Sequence, residues 1–94
     1  MSGNLFSKRP CRNPEIIWKR EGDKIFLFDP ETGDILTLNA TGARVWELSD
    51  GENTVDMIVD VLCKEFRNAT KERVKTGLTK FINELTERKL ITWK

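Results

Sequence analysis

The chain has 94 residues, 38% of them apolar and 33% charged, with a formal charge of +1 from 16 basic and 15 acidic side chains. That length holds one domain around one core, and the balanced charge gives no global pull toward nucleic acid or an anionic membrane. With no His and no Tyr, Ser/His/Asp and Cys/His nucleophilic systems are excluded and the commonest general base and metal ligand is missing.

Residues 1–14, MSGNLFSKRPCRNP, carry no apolar block long enough for a signal sequence or a membrane span. Their prolines and small polar residues predict a flexible tail, with Leu5 and Phe6 as its only docking side chains and the domain proper in residues 15–94. Cys11 and Cys63 form neither a disulfide framework nor a zinc spacing; reduced thiols in a cytoplasmic protein are expected.

EIIWKREGDKIFLFDPETGDILTLN holds three apolar segments separated by EGD and DPETGD, which predicts a three-stranded antiparallel meander. The strands fall at Ile16 to Arg20, Lys24 to Phe28 and Asp34 to Leu38, with φ > 0 expected at Gly33. In the third, Leu36 and Leu38 share the face expected to be buried, and Ile35 and Thr37 the other. The middle strand is apolar on both faces, so one of them is expected to stay partly exposed.

Asn39 stands directly before ATGARVWEL and predicts an N-cap that ends the strand and starts a helix from Ala40 to Leu48. Gly42 within it costs about 1 kcal/mol relative to Ala, which predicts another backbone packed close by. Thr54 caps a second helix running to about Phe66, with Val55, Ile58, Val59, Leu62 and Phe66 as its apolar stripe. Thr70 caps a third, KERVKTGLTKFINELTERK, of about twenty residues, with Val74, Leu78, Phe81, Ile82 and Leu85 as its stripe. Met57 and Val61 lie off the stripe of the second helix; they read either as single exposed residues or as a docking surface.

A meander followed by three helices is an α+β, winged helix-turn-helix-like outline. DNA binding is one use of that outline, but Glu84 and Glu87 interleave the basic residues of the third helix and make a poor phosphate-binding footprint. The other use is capture of a peptide, because a meander leaves an edge strand with unpaired N–H and C=O groups.

The stretch LNATGARVWELSDGENTVDMIV, with Leu38, Asn39, Trp46, Asp50, Gly51, Thr54 and Val55 in place, resembles the coenzyme PQQ synthesis protein D family of peptide chaperones, also called RiPP recognition elements. Val74, Leu78, Phe81, Ile82, Leu85 and Leu90 continue the likeness. Two positions depart from it: Gly77 stands where an acidic residue is frequent, and Lys89 where Gly commonly ends the helix.

The resemblance implies a non-catalytic domain, without metal or cofactor, that binds the leader of a ribosomally made precursor peptide by strand addition and presents it to a radical SAM maturase. It carries the site to Asp34, Ile35, Leu36, Thr37 and Leu38 on the third strand and to the Arg73, Gly77, Lys80, Phe81 and Glu84 flank of the third helix. Ile35 and Thr37 would contact the leader or its surroundings. Gly77 reads either as a point of close approach for a partner or as a drifted surface position. A monomer is expected, with strand or tail exchange open to it through the same edge.

Overall fold

The computed structural model describes residues 4–94. Strands β2 (Ile17–Glu21), β3 (Lys24–Phe28) and β4 (Ile35–Leu38) form an antiparallel meander in the order β2-β3-β4. Helices α1 (Ala40–Leu48), α2 (Val55–Glu65) and α3 (Lys71–Glu87) follow. This is the α+β, winged helix-turn-helix-like order that the sequence predicts.

Local chemistry sets the boundaries. Gly22 (φ +63) begins the two-residue loop between β2 and β3, and Gly33 (φ +81) closes the turn into β4, both in the left-handed region that glycine enters without steric cost. The Asn39 side chain accepts the Gly42 N–H at 2.9 Å, so strand and helix meet at a single capping residue. Thr54 and Thr70 cap α2 and α3 in the same way. The third helix is 17 residues long and stops at Glu87, two residues short of its predicted end. Arg88 makes the C-cap there, and Lys89 turns to a left-handed φ of +61.

One core lies between the sheet and the helices. Ile25, Leu27 and Leu38 supply the sheet face, and Val45, Trp46, Ile58, Val59, Leu62, Leu78, Ile82 and Leu85 the helical layer, all buried. The ambiguous middle strand turns Ile25 and Leu27 inward and leaves Phe26 and Phe28 exposed. Trp18 stands edge-to-face against Trp46 at 6.3 Å, closing the core beneath α1.

The predicted flexible tail is different in the structure; its first three residues lie outside those described. From Asn4 onward it is a strap. A 3₁₀ turn at Leu5–Ser7, capped by Asn4, leads into β1 (Pro10–Arg12), which pairs antiparallel with β5 (Ile91–Trp93). Main-chain bonds then stitch the strap across the domain: Gly51 N–H to the Pro10 carbonyl, Arg12 N–H to Ser49, Val55 N–H to Lys8 and Lys94 N–H to Arg9, each 2.9 Å. The Arg12 guanidinium donates to the carbonyls of Trp46 (2.9 Å) and Glu47 (2.8 Å), satisfying the open C-terminal end of α1. None of these partners is near in sequence, which is why a polar, proline-containing segment reads as loose.

Candidate peptide-binding groove

The meander has two edges, β2 and β4, and they differ in chemistry. The β2 sequence IWKRE ends in three charged residues, the device that keeps an exposed edge from pairing. The β4 sequence ILTL carries none. The Asp29 N–H donates to the Asp34 carbonyl at 3.0 Å, which makes these two a directly bonded pair. Bonded pairs recur at every second residue of an antiparallel ladder, and Leu36 and Leu38 are aligned with Leu27 and Ile25. Leu36 and Leu38 therefore turn their main-chain groups toward β3, while Ile35 and Thr37 turn theirs to the open edge.

Alongside that edge runs a trough between β4 and α3. Its deep end is a cleft of about 470 Å³ bordered by Thr37, Leu38, Gly42, Val74, Gly77 and Phe81 together with the end of α2; Arg73 is the one charged residue on its lining. A smaller cavity of about 170 Å³ continues it past Leu36, Phe81, Glu84 and Arg88. A third of about 330 Å³ follows at Asp34, Leu36, Glu87 and Arg88. The first two share Leu38 and Phe81 and the last two share Leu36 and Arg88, so the three adjoin in a row that forms a channel along the strand.

Helical periodicity decides which α3 residues face this channel. At 100° per residue Arg73, Gly77, Phe81, Glu84 and Arg88 fall on one side, and all five border the cavities. Lys80 does not: it is exposed and borders none of the three, because its angular position lies just beyond that of Arg73. Of the helix-three residues carried over by resemblance, Arg73, Gly77, Phe81 and Glu84 are thus brought together with the edge of β4, and Lys80 is left at the outer rim.

Gly42 also has a different cause from the predicted one. No neighbouring backbone crowds it; a Cβ there would stand 3.2 Å from the Phe81 ring Cζ and 3.5 Å from the Leu38 Cβ. The glycine makes room for a ring that forms the floor of the cleft. At Gly77 an added Cβ would meet nothing within 4 Å, so this gap in the α3 side chains opens into the cleft.

Sequence reasoning missed the contribution of the first two helices. Thr41, Gly42 and Val45 of α1, Leu62 of α2, and Phe66 and Ala69 just beyond it line the deep end. The stripe residues Phe66, Val74 and Phe81 are each half-buried, and each borders this cleft. Helical spacing marks them as core, and nothing in a single sequence separates a core position from a groove wall. Behind the wall Arg44 grips Glu65 through two bonds of 2.8 and 2.9 Å, tying α1 to the end of α2. The pair holds the Glu65 carboxyl below its ordinary pKa, chiefly through the hydrogen bond from Arg44, and raises that of Arg44.

No group of three or more His, Cys, Asp and Glu side chains suited to a metal ion occurs among the described residues. Cys11 and Cys63 are unpaired thiols. No helix among these residues is long and apolar enough to cross a membrane.

An open, uncharged sheet edge lying beside a trough with an apolar deep end, on a winged helix-turn-helix-like scaffold, defines a class of binding domain. Residues 24–91 match the family model described as coenzyme PQQ synthesis protein D, and the chain belongs to that family. Among solved structures it is similar to TbiB1 in complex with the TbiA(beta) leader peptide, with a TM-score of 0.79 and 25% identity over 86% of this chain and 93% of that one. No curated protein sequence matches the chain.

Proposed function

We propose that this chain is a non-catalytic peptide chaperone, a RiPP recognition element that binds the leader of a ribosomally made precursor peptide by adding it as a strand beside β4. The observation that carries the reading is the coincidence of a free, uncharged edge with a trough, apolar at its deep end, on the flank where the added strand would lie. The likeness to a protein solved with a leader peptide supports it, as does membership of the coenzyme PQQ synthesis protein D family.

The site in this reading is Asp34 and the β4 residues Ile35, Leu36, Thr37 and Leu38, with Arg73, Gly77, Phe81 and Glu84 of α3; Lys80 acts at the rim. Main-chain bonds to Ile35 and Thr37 give affinity without demanding a sequence. Side chains entering the trough give selection: burying one large apolar residue contributes about 1.5–3 kcal/mol, against about 0–1 kcal/mol for an exposed ion pair at Arg73 or Lys80. Apolar anchors therefore outweigh charge.

The bound precursor is passed to a radical SAM maturase in the cytoplasm, and chemistry resides in that enzyme. The direct test is titration of the ¹⁵N-labelled chain with the leader of a precursor encoded beside it. Amide shifts are expected at Ile35 to Leu38 and along Arg73 to Phe81; a saturating titration that leaves both segments unshifted would sink the assignment. Co-elution of the maturase with the chain in the presence of the leader tests the second partner, and separate elution under those conditions would remove it.

A further inference from the structure

The trough accounts for one face of an added strand and leaves the opposite face of the sheet unexplained. There Ile17, Phe28 and Ile35 are aligned across all three strands, and they are 59%, 38% and 71% exposed. This apolar row runs straight to the open edge and ends at Ile35, the most exposed of the large apolar residues. The neighbouring row is Lys19, Phe26 and Thr37, which reaches the same edge as a hydroxyl.

The main-chain directions derived above determine what arrives beside Ile35. A strand added to β4 bonds through Ile35 and Thr37. Whether it runs parallel or antiparallel, its residue level with Ile35 carries a side chain on the Ile35 face, because side chains alternate with period two and aligned residues share a face. Its neighbour in sequence, level with Leu36, turns into the trough.

We propose that the bound peptide is read on both faces, and that Ile35 is a specificity-determining residue: it selects an apolar side chain at the outward position level with it, which extends the row Ile17, Phe28, Ile35 by one strand. The inference rests on strand addition at β4 and adds a rule for which peptides are accepted. The accepted segment has two adjacent apolar residues, one entering the trough and one lying on the outer shelf. Level with Thr37 no such demand is made.

Ile is also a good strand former, and the test separates that role from selection. Ile35→Thr keeps β-branching and loses the apolar shelf, and the residue is exposed enough for the variant to fold, which its ¹⁵N spectrum checks. A displayed library of random short peptides is selected in parallel on the full wild-type chain and on Ile35→Thr. Wild-type selections are expected to carry the adjacent apolar pair. Selections on the variant should keep the trough-facing residue and lose the preference at the outward one.

A wild-type-selected peptide should bind the variant roughly two- to fivefold more weakly, the range of a cross-strand pair. Changing its own outward residue to Thr should weaken binding to wild type and leave binding to the variant unaltered. An outward position that is random in the wild-type selection, or unchanged on the variant, overturns the two-faced rule while strand addition stands. Selected peptides that leave the β4 amides unshifted, or a library that yields none, overturn strand addition and the rule with it.

Discussion

At Lys89 the chain takes a left-handed φ of +61, in the region that glycine enters without steric cost. A residue with a Cβ is held there at a cost of roughly 1–2 kcal/mol, so Lys89→Gly is expected to stabilise the domain by about 1 kcal/mol. The check is a higher urea midpoint at an unchanged m-value. Gly77 supports a prediction of opposite signs. Space around it is open, so Gly77→Ala should stabilise the free protein by about 0.5–1 kcal/mol through helix propensity and a less flexible unfolded chain. If a peptide approaches the helix there, the same change weakens leader binding; calorimetric titration that finds affinity unaltered would make Gly77 a drifted surface position. Its absence of a side chain is visible in the sequence, but the cleft it opens into is not, because that cleft is completed by Leu38, Gly42 and Phe66 from elsewhere in the chain.

Among the elements, the three strands of the meander were legible in the sequence, but the contrast between a charged edge, IWKRE, and an uncharged one, ILTL, rests on the strand bounds of the structure. The strap was not legible. Its pairing of Pro10 to Arg12 with Ile91 to Trp93 depends on bringing the two ends of the chain together, and no local pattern encodes that. Deleting residues 1–12 removes β1 and the main-chain bonds to Ser49, Gly51, Val55 and Lys94. At about 1 kcal/mol net per bond, the loss is expected to be several kcal/mol in urea unfolding, where removal of a loose tail would cost nothing measurable. Helix α1, which from sequence looks like a support for the strand before it, turns out to form a wall of the cleft through Thr41, Gly42 and Val45.

For the whole molecule, the lack of His removes the one side chain whose ordinary pKa lies between pH 5 and 8, and the structure adds acid-sensitive ties. Asp50 is held below its ordinary pKa of 3.8, chiefly by the Glu52 N–H and then by that of Asn53. Glu65 is held below 4.5 by Arg44. A carboxylate with a depressed folded pKa contributes stability that is complete above its unfolded value and lost as pH falls through the folded one. The thermal midpoint is therefore expected to stay level from about pH 5.5 to 8 and to fall below about pH 4.5, a scan that circular dichroism can follow. Exposure of the Arg44 and Glu65 side chains (34% and 41%) keeps the second contribution modest, and added salt should reduce it further. Duplex DNA offers a contrasting measurement: a charge of +1 predicts no affinity even at low salt, where a phosphate-binding winged helix binds most tightly.

The sequence by itself determined the order of the meander and the three helices, the caps at Asn39, Thr54 and Thr70, the inward leucine face of β4 and the family. These follow from periodicities and capping residues that act within a few positions of each other. Only the tertiary structure decided that Phe66 and Val74 border the groove, that Gly42 makes room for a ring, that Lys80 stays outside the channel, and that the first strand is a strap closed by the last. Each of these depends on which surfaces distant segments present to one another. Apolar spacing shows that a residue faces inward, but whether its far side meets packed core or an empty trough is set by the packing of separate elements.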